Sequence, residues 1–309
     1  MIVWQIFLNL KYFILVADEK NITRVAEKEH ISQQALSGHI KKLEEEYGVK
    51  LFDRTGGLSL TYAGQRLYDH AIKIIEEARE MNSEVCDLKD TRQGMVRLGL
   101  SYTRGYVFLP EVLPGFAKEN PFVKIIVTEN NSQVLEEYLI KGHIDLYIGA
   151  NIKESSEIKV EKLISEKMYL VVPNSIAEEV YGAESLNKET ADITDFVEYP
   201  FLMLSSGNSI RARFDKYISR KNITPKIKLE ADNIETLFAL ACEGMGITVY
   251  PEMFLRRHTA LLGNNESLVR CFILNEDFGR NELSIAYRGK RYMSDAVARF
   301  LKKVKQIDG

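Results

Sequence analysis

The stretch from residue 22 to residue 52 constrains the fold of this chain most, because it has the pattern of two short helices joined by a tight break. The break falls at His30-Ile31. Ser32 is a good N-cap for the second helix, and Gly48 ends it, since glycine adopts the left-handed conformation there without strain. Apolar residues of the second helix recur at spacings of four and three, at Leu36, Ile40 and Leu43. The pattern predicts a helix-turn-helix, whose second helix enters the DNA major groove.

The face of this second helix that lies opposite its apolar residues is the predicted DNA-reading surface. Glutamine pairs bidentately with adenine, and serine or lysine can reach base edges or phosphates. An alternative is a three-helix packing unit with a solvated polar face. The residues predicted to contact DNA are Gln33, Gln34, Ala35, Ser37, Gly38, Lys41 and, in the next segment, Arg54.

The segment after the second helix predicts a wing. Residues 51–61 form two short extended pieces around a Gly56-Gly57 turn, which is typical of a winged helix.

With the wing included, the stretch from Leu10 to Ala71 resembles the N-terminal domain of the LysR-type transcriptional regulators. The matching pieces are Leu10-Lys11-Tyr12-Phe13, Ala26, Ser32-Gln33, Ala35-Leu36-Ser37, Ile40-Lys41-Lys42-Leu43-Glu44, Leu51-Phe52-Asp53-Arg54 and Leu60-Thr61-Tyr62-Ala63-Gly64. Gln34 and Gly38 depart from the resemblance, since that family usually has proline and arginine there. The resemblance implies a DNA-binding domain over residues 1–64.

The charge balance of this domain favours an oligomer. Residues 1–64 carry eight basic and eight acidic side chains, and the whole chain has a formal net charge of −3. Phosphate contacts supply most non-specific affinity for DNA, so a neutral domain binds weakly as one copy. Several copies on one DNA restore affinity through effective concentration.

A long helix predicted over residues 61–91 supplies a means of association. Its apolar or small residues repeat at spacings of four and three over about 22 residues, which favours an intermolecular coiled coil over an ordinary amphipathic helix. The resemblance agrees, since linker helices of that family pair antiparallel. Arg92-Gln93-Gly94 is the predicted hinge after it. The predicted dimerisation residues are Leu67, Ala71, Ile74, Ala78, Met81, Val85 and Leu88.

Beyond the hinge, strands and helices alternate, which predicts mostly parallel sheets covered by helices. Strands are predicted at 95–100, 123–128, 145–148, 167–172, 201–204, 226–230, 247–250, 268–273 and 282–287, and helices at 109–119, 132–141, 210–221, 234–243 and 294–305.

This half also resembles the LysR-type family, whose two-lobed effector domain shares the fold of periplasmic solute-binding proteins. The matching pieces are Leu109-Pro110, Leu113-Pro114, Phe116, Asn120-Pro121, residues 142–146 and residues 244–251. The predicted effector domain is 94–309, with one lobe at about 94–164 and 268–309 and the other at about 165–267.

A ligand is predicted between the lobes, where polar residues follow strands and precede helices. Hydroxyls and free N–H groups at a helix N-terminus favour an anion, although plain N-capping explains each cluster alone. Arg104, Arg211 and Arg213 could add positive charge, but arginines near helix starts are usually solvated. The predicted effector-binding residues are Ser101, Tyr102, Thr103, Ser132, Ser205 and Thr248.

Motifs for catalysis, metal or cofactor binding are absent from the sequence, so we predict no catalytic residues, no metal and no cofactor. The three cysteines fit a reduced, cytoplasmic protein. For Cys242 a redox role and a buried structural thiol are both open. The apolar start, Met1–Val16, lacks the basic region and cleavage site of a signal peptide, and no run is long enough to span a membrane.

The sequence therefore predicts a cytoplasmic, DNA-binding transcriptional regulator that responds to a small, anionic effector. Its expected partners are operator DNA, the effector and further copies of itself, in a homotetramer implied by the resemblance, with RNA polymerase as a further partner. The alternatives are a solute-binding protein and an enzyme on the same two-lobed scaffold.

Overall fold

The computed structural model describes residues 2–88, 93–258, 268–276 and 278–306. The chain divides into two compact units, Met1–Thr91 and Arg92–Gly309. The predicted end of the linker helix at residues 89–91, Arg92 of the predicted hinge, and the parts of the predicted lobes at 259–267, 277 and 307–309 lie outside the described residues.

The first unit is a small helical domain with a two-stranded sheet. Its core is apolar and centres on Phe13, Leu36 and Tyr68, with the Phe13 and Phe52 rings 5.4 Å apart. The elements are α1 (Ile2–Glu19), α2 (Ile22–Lys28), α3 (Gln33–Tyr47), β1 (Phe52–Asp53), β2 (Ser59–Leu60) and α4 (Tyr62–Asp87).

The second unit contains two lobes, each with a sheet and covering helices. In the first lobe, five strands lie in the order β4-β3-β5-β13-β6. Strand β3 is parallel to its neighbours β4 and β5, whereas β13 is antiparallel to β5 and β6. The elements of this lobe are β3 (Gly94–Leu100), α5 (Tyr102–Glu119), β4 (Val123–Glu129), α6 (Ser132–Ile140), β5 (Leu146–Ala150), β6 (Ile158–Glu166), β13 (Asn281–Arg288) and α11 (Asp295–Val304).

The second lobe has a four-stranded sheet, in the order β11-β7-β12-β8, and a parallel pair, β10-β9. An isolated bridge between Phe201 and Ile247 lies between these two sheets. The elements are β7 (Met168–Pro173), α7 (Asn174–Tyr181), β8 (Thr190–Ala191), β9 (Pro200–Leu204), α8 (Ser209–Lys221), β10 (Lys226–Ala231), α9 (Ile234–Cys242), β11 (Thr248–Pro251), α10 (Glu252–Leu255) and β12 (Val269–Leu274), with short 3-10 turns at Gly182–Leu186, Ile193–Phe196 and Arg256–His258.

Two predictions about this unit are wrong. The segment that begins at residue 268 was assigned to the first lobe, but β12 pairs antiparallel with β7 in the second lobe, and only β13 and α11 return to the first. The sheets are also mixed rather than mostly parallel, because β11, β12 and β13 each pair with an antiparallel neighbour.

Helix α5 begins seven residues before its predicted start and contains Pro110 and Pro114. Proline inside a helix costs about 3 kcal/mol. The buried face of α5 runs unbroken through both prolines, with Phe108, Val112 and Phe116 in the core. Burial of this face keeps the segment helical.

We found no described helix that is both long enough and apolar enough to cross a membrane.

Candidate DNA-binding and effector sites

The predicted helix-turn-helix is present. The Ser32 hydroxyl accepts a hydrogen bond from the Ala35 N–H at 3.1 Å, which caps α3 as predicted, and Gly48 ends the helix with φ 68°. The break before it is a tight turn, in which His30 has φ 55° and the Ile31 N–H donates to the Ala26 carbonyl at 3.0 Å. The turn holds α2 against α3 and fixes which side of α3 faces solvent.

The predicted DNA-reading face of α3 is exposed. Leu36, Ile40 and Leu43 are buried, as predicted from their spacing. On the other side, Gln33, Gln34, Ala35 and Lys41 are exposed, whereas Ser37 and Gly38 are half-exposed.

Two of these side chains are already held by neighbours. The Thr23 hydroxyl donates to Gln33 Oε1 at 3.3 Å, and Lys41 Nζ lies 3.2 Å from Glu45 Oε1. Neither contact is buried, so both side chains can exchange these partners for DNA at small cost.

Gly38 is not required by the fold. A Cβ built on it would have no heavy atom within 4 Å, and its φ lies outside the left-handed region. A helical glycine costs about 1 kcal/mol relative to alanine. The absence of a side chain at Gly38 therefore does not stabilise the fold. It leaves the helix backbone at this position accessible from solvent.

The wing is a short hairpin with its turn at Gly56-Gly57, whose φ values are 84° and 123°. Arg54 is exposed on it. The base of the wing is tied to α3 because Glu44 Oε1 accepts from the Leu51 N–H at 2.9 Å. Partial burial of Glu44 opposes ionisation, but hydrogen bonds from Leu51 N–H and Lys50 hold its pKa below the usual value.

The predicted dimerisation seam on α4 divides into two parts. Ala71 has no exposed surface and belongs to the core of the first unit, and Leu67 packs against that core. Ala71 therefore has no surface to offer a partner, and we remove it from the predicted seam. Ala78 is half-exposed. The other seam residues are apolar side chains in solvent, namely Ile74, Met81, Val85 and Leu88.

A cavity of about 720 Å³ lies between the two lobes of the second unit. Five of the six predicted effector-binding residues line it, namely Ser101, Tyr102, Thr103, Ser132 and Ser205. Four helices begin at its wall, with their first residues at Tyr102, Ser132, Ser209 and Ile234.

The helix that begins at Tyr102 differs from the other three at its N-terminus. Asparagine side chains cap α6, α8 and α9, whereas α5 has no side-chain cap at Ser101. The first intrahelical bond of α5 runs from the Gly105 N–H to the Ser101 carbonyl at 2.8 Å. The N–H groups before Gly105 thus remain available to an acceptor in the cavity.

Arg104 is the only cationic side chain among the described residues that line the cavity, and it is 6% exposed. Its Nη1 lies 3.6 Å from Glu166 Oε1 and 3.9 Å from the Met253 sulfur. Within the described residues its guanidinium makes no hydrogen bond to an oxygen. The sequence leaves Arg104 open between a positive charge at the effector site and a solvated side chain; the structure places it buried in the cavity wall, inside a helix that begins earlier than predicted.

Glu166, the partner of Arg104, is 2% exposed and ends β6, where the chain crosses to the second lobe. Its Oε2 accepts from the Met253 N–H at 3.0 Å, and its Oε1 accepts from Asn281 Nδ2 at 2.6 Å. Asn281 begins β13, where the chain returns. The Glu166 carboxylate therefore links the two segments where the chain crosses between the lobes, and it also forms an ion pair with Arg104.

Tyr147 and Gly149 form part of the cavity wall on the first lobe. A Cβ on Gly149 would collide with the Tyr147 hydroxyl, so glycine is needed for the phenol to lie there. Burial raises the pKa of Tyr147, and its hydroxyl is hydrogen-bonded to Ser132. At neutral pH the Tyr147 side chain in the cavity wall is therefore a protonated phenol.

The remaining predicted residues lie elsewhere. Thr248 is 1% exposed, pairs with Val171 in β11 and does not line the cavity, so this prediction is wrong. Arg211 bonds Asp215 and Glu230 on α8 and β10. Arg213 donates to Asn151 Oδ1 at 2.9 Å.

Two carboxylates that line the cavity were missed, Glu129 and Asp232. Each comes at or just after the end of a strand and before an asparagine, so their positions in the sequence resembled those of ordinary loop residues.

The thiols lie away from the cavity wall, since no cysteine is among the described residues that line it. Cys86 is exposed on α4. Burial raises the pKa of Cys242, and it raises the pKa of Cys271 to about 12. No cluster of three or more possible metal ligands occurs among the described residues.

Two family models match the chain. The model for bacterial regulatory helix-turn-helix proteins of the lysR family matches residues 7–65, and the model for the LysR substrate binding domain matches residues 89–307.

Curated relatives of the chain are named as transcriptional regulators. An uncharacterized HTH-type transcriptional regulator of Bacillus subtilis, YybE, is 30% identical over 246 residues, which cover 79% of this chain and 82% of the relative. The DNA-binding transcriptional dual regulator OxyR of Escherichia coli is 30% identical over 79% of this chain and 78% of its own.

Solved structures share the fold. A full-length OxyR variant from Pseudomonas aeruginosa has a TM-score of 0.70 at 22% identity, covering 98% of each chain. Full-length CbnR, in a complex with its target DNA, has a TM-score of 0.65 at 20% identity, covering 97% of this chain and 99% of its own. These comparisons confirm the predicted fold class, a helix-turn-helix domain followed by a two-lobed effector domain, and the chain belongs to the LysR family of bacterial transcriptional regulators.

Proposed function

We propose that this protein binds operator DNA through α3 and the wing, and that a small molecule in the cavity between the lobes modulates this binding. The observation that carries the proposal is the exposed face of α3, whose polar residues begin at the N-terminal end of the helix. Gln33, Gln34 and Ser37 would contact base edges, whereas Lys41 and Arg54 would contact phosphates. We infer a cytoplasmic location, since the DNA is there.

Alanine variants of α3 test the DNA-binding part. We expect Gln33→Ala and Ser37→Ala to lower discrimination between operator and unrelated DNA, because they remove base contacts. Lys41→Ala should weaken binding to every sequence and reduce the salt slope by about one, because it removes a phosphate contact. Fluorescence anisotropy titrations at several salt concentrations measure both effects.

Lys302→Ala is the matched control, because this exposed lysine lies on α11 in the other unit. If the three α3 variants bind operator as tightly and as selectively as Lys302→Ala, then α3 is not the recognition helix.

The effector part of the proposal is supported by the cavity wall. The uncapped start of α5 offers N–H groups, and Arg104 offers a guanidinium whose ion-pair partner, Glu166, is 3.6 Å away and leaves its donors without a hydrogen-bonded oxygen. Both favour an anionic group on the effector, beside the hydroxyls of Ser101, Thr103 and Ser205.

Thr103→Val tests this site, since it keeps the side-chain volume and removes the hydroxyl. We expect a weaker effector response of a reporter gene, with operator binding in the absence of effector unchanged. Thr190→Val, on an exposed strand residue outside the cavity, is the control. Equal dose–response curves for Thr103→Val and Thr190→Val would place the effector elsewhere.

Several relatives are named hydrogen peroxide-inducible genes activators, which raises thiol oxidation as an alternative to effector binding. A reactive cysteine is a thiolate with a lowered pKa and access to solvent. Burial raises the pKa of Cys242 and Cys271, and neither lines the cavity. We therefore infer that neither of these two thiols is the sensor, that the effector in the cavity is non-covalent, and that Cys242 has a structural role. Peroxide-dependent operator binding that is lost in Cys242→Ser would contradict this.

We also propose that α4 pairs two chains. Met81 and Leu88 are 59% and 85% exposed within the single chain, which is unusual for a regular apolar repeat unless a partner covers it. Strands β4 and β10 lie at the edges of their sheets and expose Ile126, Val127 and Ile227, which supports a second contact and hence a tetramer. RNA polymerase as a partner stays a prediction.

Met81→Asp places an unpaired charge in the proposed coiled coil, and burial of such a charge costs several kcal/mol. We expect light scattering to give a lower mass for this variant than for Lys73→Asp, which changes an exposed polar residue of the same helix. Equal masses for the wild type and Met81→Asp would show that the seam does not pair chains.

A further inference from the structure

The cavity carries two carboxylates that the proposed function leaves unused. Glu129 is the last residue of β4, and Asp232 directly follows β10. Both line the cavity and both are exposed. Within the described residues neither carboxylate has a hydrogen-bond or ion-pair partner. The cavity wall thus presents one cation, Arg104, and two unpartnered carboxylates.

The two carboxylates occupy corresponding positions in the two lobes. Strand β4 is parallel to β3, with Glu129 opposite Leu100 and beside Ser101. Strand β10 is parallel to β9, with Ala231 opposite Leu204, and the Ser205 N–H donates to the Ala231 carbonyl at 3.0 Å. Each lobe therefore offers a serine at the end of one strand and a carboxylate at the end of its neighbour.

Glu129 is accommodated at this position by a glycine. A Cβ on Gly105 would lie 2.7 Å from Glu129 Oε1, so this glycine leaves room for the carboxylate beside the first turns of α5. A carboxylate this close to the uncapped helix start lowers the attraction of the cavity for a simple anion.

The buried guanidinium independently indicates that a ligand completes this wall. Arg104 is more than nine-tenths buried, yet its ion-pair partner, Glu166 Oε1, is 3.6 Å away, which is beyond hydrogen-bond distance. A buried guanidinium without hydrogen-bonded oxygens is costly, and a carboxylate in the cavity would supply them. Glu129 and Asp232 line the same cavity, and Arg104 is the only cation among its described lining residues.

From these observations, and resting on the proposed function, we infer that the effector is amphoteric. It carries a carboxylate or similar anionic group for Arg104 and the start of α5, and an ammonium group for Glu129 and Asp232. An α-amino acid or a related amino-carboxylate has this chemistry. A carboxylate without an amine would leave both protein carboxylates unpaired beside its own negative charge.

Thermal-shift and calorimetric titrations of the full chain test this inference. The probes are the twenty L-amino acids, their N-acetyl derivatives, which lack the ammonium charge, and the amine-free acids succinate, malate and benzoate. We expect at least one amino acid to bind, and its N-acetyl derivative to bind at least ~10-fold more weakly, since charge-assisted hydrogen bonds are lost.

Charge-neutral variants give a second, independent readout. Glu129→Gln and Asp232→Asn should each weaken the amino acid about tenfold, because each removes a partner of the ammonium. Glu111→Gln is the control, since Glu111 is exposed on α5 and does not line the cavity. Unchanged melting temperatures of the ligand-free variants would show that they fold.

The inference is overturned if no ammonium-bearing probe binds, or if an amine-free acid binds best and binds more tightly to Glu129→Gln. In the second case, loss of that acid's binding in Thr103→Val would leave the proposed effector site intact. Failure of the proposed function is a separate result, seen as operator binding that no α3 substitution affects.

Discussion

Gly38→Ala should separate the stability of the DNA-binding unit from its affinity for DNA. A methyl group on Gly38 meets no atom within 4 Å, so it neither clashes nor packs. Its effect on stability is then the helix propensity alone, a gain of about 1 kcal/mol. For a unit as small as Met1–Thr91 that gain raises Tm by roughly 4–8 °C.

We expect the same variant to bind operator more weakly, because the methyl group projects from the face proposed to lie in the major groove. Circular dichroism melting and anisotropy titrations at one fixed salt concentration measure the two effects. Gly48→Ala should do the opposite to Tm, since φ 68° at Gly48 disfavours alanine. Gly115→Ala, in α5 of the other unit, should leave operator affinity unchanged.

A rise in Tm without any loss of operator affinity would show that Gly38 does not approach the DNA. A fall in Tm would refute the argument that the fold has no use for this glycine.

Three further changes test the packing and the electrostatics. The folded-state pKa of Glu44 lies below its usual value of 4.5. The stabilisation from ionised Glu44 is therefore complete above that pH and is lost as pH falls through the folded pKa. Urea unfolding at pH 7 and pH 3.5 should show a smaller loss of stability in acid for Glu44→Gln than for the wild type. Arg97→Ala should cost about 2 kcal/mol in urea unfolding, because Arg97 Nη2 and Nε bind both oxygens of Asp145 at 2.5 and 3.2 Å. Phe300→Ala should cost about 3–5 kcal/mol in the same assay, because this fully buried ring packs edge-on against Phe116 with centroids 5.0 Å apart. If Arg97→Ala or Phe300→Ala lowers the free energy of unfolding by less than about 1 kcal/mol, the contacts described for that residue do not stabilise the fold as argued.

The DNA-binding unit could be predicted closely because its determinants are local. Ser32 caps α3, Gly48 ends it, and Leu36, Ile40 and Leu43 lie on one face, so the turn and its orientation follow from neighbouring residues. The exposure of Ile74, Met81, Val85 and Leu88 also agrees with a pattern visible in the sequence. The place of Ala71 did not follow, since it depends on a core that α4 shares with helices far away in sequence.

The effector unit could be predicted only in outline, because its details depend on long-range pairing. Strand β6 carries charges at Lys159, Glu161 and Lys162 and lies at a sheet edge, so it lacks the apolar pattern of a buried strand. Strand β12 has the pattern of any strand, and nothing local decides that it pairs with β7 rather than in the first lobe.

The cavity could be predicted only in part, again because some of its residues are placed by long-range contacts. Ser101 and Ser205 follow strands that the sequence marks clearly. The sequence does not single out Glu129, and it does not separate Arg104 from Arg211 and Arg213, because the roles of these residues depend on what lies across the cavity or across a crossover. The prolines of α5 also concealed Arg104, because they obscure where the helix begins.

The position of β13 determines the order in which the second unit can be completed during synthesis. Every described strand of the second lobe has been made once the ribosome passes Leu274, whereas the first lobe still lacks the strand between β5 and β6. The sheet of the first lobe therefore cannot be completed until Asn281–Arg288 has been made, after every described strand of the second lobe. A nonsense mutation shortly before residue 281 would leave a folded second lobe attached to an open sheet edge, which is a surface that chaperones and proteases recognise.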